Sequence, residues 1–481
     1  MILDRFRKDM ETDDIVARLR DGLIGEGAEF ETEFCTKKLV YADYTASGRA
    51  LRQVESFIAE QVLPFYANSH TEASYCGAYM TKLREAARKL IGDEVNADAD
   101  CSVIFAGSGA TAAVNRLVAL CGVADLKDEN GIVNATVFIG PYEHHSNILP
   151  WRESGAEIVE IGEAPEGGPD LVMLEKELEA RSDRQLLIGS FSAASNVTGI
   201  VTDVNAVTGL LKRYGALAFW DYAGGGPYLD MDMNPGYRLE KDAIFLSPHK
   251  FPGGPGASGL LIIRNSAIRA TRPTWPGGGS VSYVSPWAHD YLASITEREE
   301  AGTPNIIGDI RAALVFVIKA VIGSDYISKR DHELGARVFA AWRNNPDIQI
   351  LAEERTNRLP IFSFLIRDGN GGYIHHELFT KMLSDITGVQ VRGGCVCAGP
   401  YGHRLLGVER PQSEIIRKAI LAGNGIEKPG WVRLNFSYLM DDKTAAYIVD
   451  SVDALASKAS EVLHHYDHED AQMLKRSSSL K

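Results

Sequence analysis

The sequence lacks most of the features that would take a chain out of the cell, into a bilayer or onto nucleic acid. Its 481 residues hold only 6 cysteines. These (Cys35, Cys76, Cys101, Cys121, Cys395 and Cys397) are not set at framework spacings, which excludes a disulfide-stapled secreted domain. The opening stretch MILDRFRKDMETDDIVARLRDG is charged throughout and has no apolar core of signal-peptide length. The longest apolar run, AALVFVIKAVIG, is broken by Lys319 and is too short for a membrane span. Positive charge is in deficit, with 50 Lys and Arg against 64 Asp and Glu and a net charge of −14. Nucleic acid and anionic membrane both need a basic footprint, so neither is expected as the main partner. No internal repeat interrupts the chain. The expectation is a reduced, cytoplasmic protein whose special cysteines are chemical rather than structural.

What is present fits a globular protein of more than one domain: 45% hydrophobic and 24% charged residues on a chain long enough for more than one core. From about Tyr41, short β-rich runs alternate with helical patterns. CSVIFAG leads into ATAAVNRLVALCGV; ATVFIG, AEIVEIG, QLLIGSFSA, ALAFWDYA, DAIFLSP and GLLIIRN follow, with helix-like stretches between them. Leu174 and Leu178 lie four apart, on one helix face. Such alternation predicts an α/β fold, a mostly parallel sheet covered by helices, with ligands at the carboxyl ends of its strands. Residues 41–305 are expected to form this large domain. Residues 306–466, with strands in LPIFSFLIRD and WVRLNFSYL, are expected to form a smaller α+β domain on which segment 1–40 packs. Residues 467–481 read as a flexible tail.

Several stretches at strand ends carry chemistry. GSGATA, with Gly109, Ala110 and Thr111, is a glycine turn opening a helix, whose N–H groups suit a phosphate; a plain packing turn is the bland reading. Asp221 ends the apolar run ALAFWD, where a lone acid is more often a helix cap. One β-unit later, SPHKFPGGPGASG sets Ser247, His249 and Lys250 ahead of four glycines. A P-loop needs its glycines before the lysine, so an ATPase reading fails on order. A lysine amine, an acid on a nearby strand end and a phosphate cup suit pyridoxal 5'-phosphate (PLP). Its aldehyde takes a lysine as a Schiff base, its ring nitrogen a carboxylate and its phosphate N–H donors.

With these motifs in order, the chain resembles the class V aminotransferase, or cysteine desulfurase-like, family of fold-type I PLP enzymes. The likeness runs from about Asp43 (ADYTASG) to Arg433. It implies that His144 of EHHSN stacks on the cofactor ring and acts in catalysis. It places Asn196 of SASNVTG near the ring hydroxyl and the substrate carboxylate, Asp221 on the ring nitrogen and Lys250 on the aldehyde. Gly302 and Thr303 of EAGTPN would reach the phosphate of a second subunit in a homodimer. Arg433 of WVRLNFSY would fork the carboxylate of an amino-acid substrate, with Arg392 and His70 as further substrate contacts.

RGGCVCAGP leaves more than one reading open. It has no second pair at zinc spacing, and buried structural thiols are the usual fate of lone cysteines. Arg392 and the small residues instead suggest an accessible, activated thiol. The resemblance puts a sulfur-accepting nucleophile at Cys397; Cys395, or neither thiol, stays open on the residues alone. The loop is similar to that of the desulfurase domain of molybdenum-cofactor sulfurases. Three departures from the desulfurase pattern stand out: Gly224 where a glutamine is usual, no arginine beside His70, and a long span from Cys397 to Arg433. HHYDHED near the C-terminus (His464, His465, His468) reads as a solvated end rather than a metal site. The implied activity is cysteine desulfurase or selenocysteine lyase chemistry with a protein sulfur acceptor. A PLP β-lyase, epimerase or aminotransferase without a catalytic thiol is the alternative, and a cofactor-binding scaffold without turnover the outlier.

Overall fold

A computed structural model describes residues 2–68, 72–423 and 428–466. His70 and His468 therefore lie outside the described residues. The chain divides into two compact units. Unit 1 takes the residues up to Gly22, Ser47–Ala194 and Thr202–Ser324; unit 2 takes Leu23–Ala46, Ser195–Val201 and the chain from Asp325.

Unit 1 is built on a seven-stranded sheet. Its strands are β1 (Cys101–Gly107), β2 (Ala135–Ile139), β3 (Glu157–Glu160), β4 (Leu186–Ser192), β5 (Leu217–Asp221), β6 (Ala243–Leu246) and β7 (Gly259–Arg264), in the spatial order β1-β7-β6-β5-β4-β2-β3. β2 to β6 run parallel. Their side chains are buried on both faces of β2, β4 and β6, which is why these segments read as unbroken apolar runs. β7 is antiparallel to both neighbours. The connection from β6 is spent on the lysine turn and holds no crossover helix, so the chain re-enters antiparallel. Two reversals in succession bring β1 back parallel to the rest, and its carboxyl end meets those of β2, β4, β5 and β6.

Helix α1 (Gly109–Leu120) covers one face, burying Ala113, Val114, Leu117 and Leu120. Helix α2 (Ile306–Ile322) is buried nearly all round. It groups with unit 1, as does the N-terminal segment up to Gly22; the sequence pattern alone had set both with the smaller domain. Leu174 and Leu178 are buried on one helix face, as their spacing predicts.

Unit 2 carries a four-stranded antiparallel sheet. Its strands β8 (Ile348–Ile350), β9 (Ile361–Ile366), β10 (Arg392–Gly394) and β11 (Trp431–Asn435) lie in the order β8-β9-β11-β10. Its core gathers Trp342, Phe362, Phe364, Phe379, Leu434 and Val449. No helix among the described residues is long and apolar enough to cross a membrane.

Candidate active site

In unit 1, five strand ends deliver side chains to one edge of the sheet. After β1 the backbone turns through Gly107 and Gly109, both at positive φ (+86° and +61°). A Cβ on Gly109 would come within 3.0 Å of Ser247 Oγ, and one on Gly259 within 2.2 Å of Gly109 O. Glycine lets these backbones meet. Helix α1 starts here without a side-chain cap from Ser108. The Ala110 N–H donates to Ser247 Oγ at 2.8 Å, and Thr111 Oγ1 lies 2.7 Å from Ser146 Oγ. The Ser146 N–H donates to His144 Nδ1 at 3.1 Å, which leaves the proton of a neutral His144 on Nε2.

The turn after β6 is stiff for the same reason. A Cβ on Gly254 would meet Pro248 O at 2.0 Å, and one on Gly48 would meet Phe251 O at 1.9 Å. Phe251 is buried and stacks on Phe316, with centroids 5.5 Å apart. Lys250 is thus held on a pinned backbone, half-buried, close enough to Asp221 to stabilise its negative charge. His249 is pushed down to about 4 by burial and by the Lys250 charge, so it is neutral at physiological pH.

Asp221, at the end of β5, is 4% exposed, and its Oδ1 accepts from the Ala223 N–H at 2.7 Å. Burial pushes its pKa up to about 6, against that hydrogen bond and Lys250. Glu143 is pushed up to about 7, by burial first and by Asp221 in addition. Two acids in a water-poor site resist ionising together. A raised carboxyl contributes stability below its unfolded value of 3.8 and loses it as pH rises through about 6. Cofactor-free Asp221→Asn is therefore expected to be more stable than wild type at pH 7.5, by about 3 kcal/mol, and equal to it below pH 4. Urea midpoints at the two pH values check this; an Asn variant less stable than wild type at pH 7.5 contradicts it.

Unit 2 gathers the second group of residues. Arg433, on β11, is 2% exposed. Its Nη2 donates to Asp43 Oδ1 at 2.9 Å and its Nη1 to Asn196 O at 3.0 Å. Arg392 Nε donates to the other Asp43 oxygen at 3.1 Å. Asp43 thus holds two guanidiniums, and burial pulls that of Arg433 below its usual value despite this partner. Asn196 Nδ2 donates to Val396 O at 3.0 Å, tying it to the cysteine loop. Asn196 Oδ1 and Arg433 Nε are buried without a hydrogen-bond partner, an arrangement that suits a polar ligand.

In the loop itself Cys395 is partly buried and Cys397 exposed. Val396 and Cys397 are both left-handed, at φ +45° and +58°. A β-branched residue rarely adopts that conformation, and each such residue costs about 1–3 kcal/mol. The Val396 side chain is buried, and helix α3 (Gly399–Leu405) follows at once. Gly402 of α3 lies against Trp431, where a Cβ would be 3.0 Å from the ring.

Gly302 and Thr303 occupy an exposed turn, with the Gly302 N–H donating to Gly278 O at 2.8 Å. His464 falls in the short turn Leu463–His465, and no cluster of potential metal ligands occurs among the described residues. Sequence reasoning assigned no role to Asp43 or Ser146. Asp43 stood at the start of a recognised stretch, but nothing linked it to Arg433, 390 residues away.

The donor set fits PLP on its own chemistry. There is a lysine on a pinned turn, a buried acid beside it and a helix start that Ser108 does not cap and that a serine hydroxyl adjoins. The strand order and the position of the lysine turn define the fold-type I architecture of PLP-dependent transferases. The chain belongs to the class-V aminotransferase family, whose profile, described as Aminotransferase class-V, matches residues 40–427. A probable cysteine desulfurase of Pyrococcus abyssi is 30% identical over 306 residues, 63% of this chain and 72% of that protein. One of Streptomyces coelicolor is 28% identical over 372 residues, 76% and 84% of the two chains. Among solved structures, the cysteine desulfurase of Thermococcus onnurineus NA1 superposes with a TM-score of 0.70 at 22% identity, over 87% of this chain and 95% of that one. The cysteine desulfurase CsdA of Escherichia coli does so with 0.69 at 21%, over 92% and 98%. These two likenesses are of fold.

Proposed function

We propose that this protein is a PLP-dependent cysteine desulfurase, with selenocysteine as an alternative substrate of the same chemistry. Lys250, Asp221, Ser247, His249, His144 and the Gly109–Thr111 turn would hold the cofactor. When bound, PLP supplies an electron sink for bonds at the substrate Cα. Asp221 would keep the ring nitrogen protonated, and arrival of that proton offsets the burial of the acid. The half-buried Lys250 amine would move the proton at Cα. Arg433 and Asn196 would take the substrate carboxylate, with Arg392 in support. The Cys397 thiolate would attack the substrate sulfur. An S–S bond forms, the C–S bond breaks with its electron pair going to carbon, and carbon takes up a proton to give alanine.

The observation that carries this reading over the thiol-independent reactions of the family is Cys397, an exposed thiol on a loop held in a strained conformation. Strain of this kind collects at functional sites. The names of the relatives support it. The deciding experiment incubates the purified protein with a panel of amino acids and assays alanine, sulfide, pyruvate and ammonia. Alanine with persulfide from L-cysteine supports the proposal; pyruvate and ammonia in place of alanine point to a β-lyase.

The active form would be a homodimer with shared sites. The exposed Gly302–Thr303 turn and the exposed Trp275, Trp287 and Tyr283 of the same unit support a surface made to be covered. Sedimentation is expected to give a dimer; a monomer with full cofactor affinity contradicts it. All six cysteines carry free thiols, which supports a cytoplasmic location, checked by cell fractionation.

A further inference from the structure

Glu143 is a buried acid that the reaction above does not use, and its carboxyl is fully engaged in hydrogen bonds at the cofactor edge. It is 3% exposed. Its Oε1 accepts from the Ser192 N–H at 2.8 Å and the Gly140 N–H at 3.3 Å. Its Oε2 accepts from Asn147 Nδ2 at 2.6 Å and lies 2.7 Å from Ser192 Oγ. A Cβ on Gly140 would sit 2.8 Å from Oε1, so the carboxyl reaches the strand end only because that residue is glycine. Asn147 is fixed in turn: its Oδ1 accepts from Trp151 Nε1 at 3.1 Å and Ser190 Oγ at 2.7 Å, and its Nδ2 also donates to Ser190 O at 3.2 Å.

Both ends of this network touch the cofactor residues. Glu143 directly precedes His144, and Ser192 is the register partner of Asp221 across β4 and β5. We propose that Glu143 is a positioning residue, a latch that fastens the His144 turn to the strand end beside Asp221. The ring-facing histidine and the ring-nitrogen acid are then held as one unit. A loop and a strand end would otherwise be set independently, and a ring gripped from both needs them in fixed relation. This rests on the PLP reading above.

The test exchanges partners across the 2.6 Å bond. Glu143→Gln sets an amide N–H₂ against that of Asn147, so one buried donor loses its acceptor. Adding Asn147→Asp restores a matched pair, and the new carboxyl, as the acid, keeps the bond to Ser190 O. Cofactor-free proteins are titrated with PLP, following absorption and induced circular dichroism. Glu143→Gln is expected to weaken binding by about 10-fold or more and to shrink the dichroism, from the loss of one buried hydrogen bond. The double variant is expected to return to within about 3-fold of wild type. Glu143→Gln that binds and orients the cofactor like wild type overturns the proposal. So does a folded double variant that stays as weak as the single one. Melting of the cofactor-free proteins at about pH 5.5, below the raised Glu143 pKa of about 7 so that no buried charge is removed, adds a readout independent of PLP: Tm should fall in Glu143→Gln and recover in the double variant, and no fall or no recovery also overturns the latch. Wild type that fails to bind PLP defeats the cofactor reading, while the melting comparison still decides the latch.

Discussion

Lys250→Ala is expected to lower the rate of alanine formation from L-cysteine by at least about 10³-fold, within the range for losing a positioned proton-transfer group. The fold should survive. The turn that carries Lys250 is held by its neighbours: Gly254 against Pro248 O, Gly48 against Phe251 O, and the Phe251 ring on Phe316. None of these contacts involves the lysine side chain, which is only half-buried. Wild type loaded with PLP is expected to show the yellow absorption of an aldehyde-lysine bond and to have the cofactor fixed to the chain by borohydride; the variant should show neither. Normal turnover in Lys250→Ala would sink the assignment of this lysine.

The second large effect is expected at Cys397. Cys397→Ala should cut alanine formation by at least about 100-fold, the lower part of the range for a reacting group, whereas Cys395→Ala should keep more than about a tenth of it. Cys397→Ala should cost little stability, because that side chain is exposed. A third variant separates chemistry from folding. Cys397→Gly relieves a left-handed residue, so it should be more stable than wild type by about 1 kcal/mol and still inactive. Urea denaturation and steady-state assays on the same preparations give both numbers. Cys397→Ala that turns over cysteine like wild type would leave a thiol-independent lyase as the better account.

Much of the architecture was legible because burial writes itself plainly in β-strands. The runs CSVIFAG, ATVFIG, QLLIGSF and AIFL are core strands, and the polar groups that follow them gather at one edge. Lys250 and Asp221 could be singled out because each breaks an apolar pattern at such an end. What was not legible depends on distance and on backbone geometry. No local pattern reveals that Asp43 holds both Arg392 and Arg433, since the partners meet only through β10 and β11. The antiparallel β7 has the composition of its parallel neighbours; only the lack of a crossover helix sets its direction. Helix α2 looks like the start of a new domain because loops precede it, yet its apolar circumference is filled by unit 1. The left-handed pair Val396–Cys397 is equally silent, as neither residue favours that conformation. Glu143 was visible as an acid before two histidines, but its role follows from Ser192 and Asn147, which come from elsewhere in the fold.

The most direct test is the site of sulfur itself. Wild-type protein is mixed with L-cysteine without reductant, quenched by alkylation and digested, and the peptide spanning Arg392 to Arg404 is examined by mass spectrometry. The account predicts one added sulfur on Cys397, formed in step with one alanine per site, and none on Cys35, Cys76, Cys101 or Cys121. Alanine released with no added sulfur on either Cys397 or Cys395, or pyruvate and ammonia in its place, would contradict it.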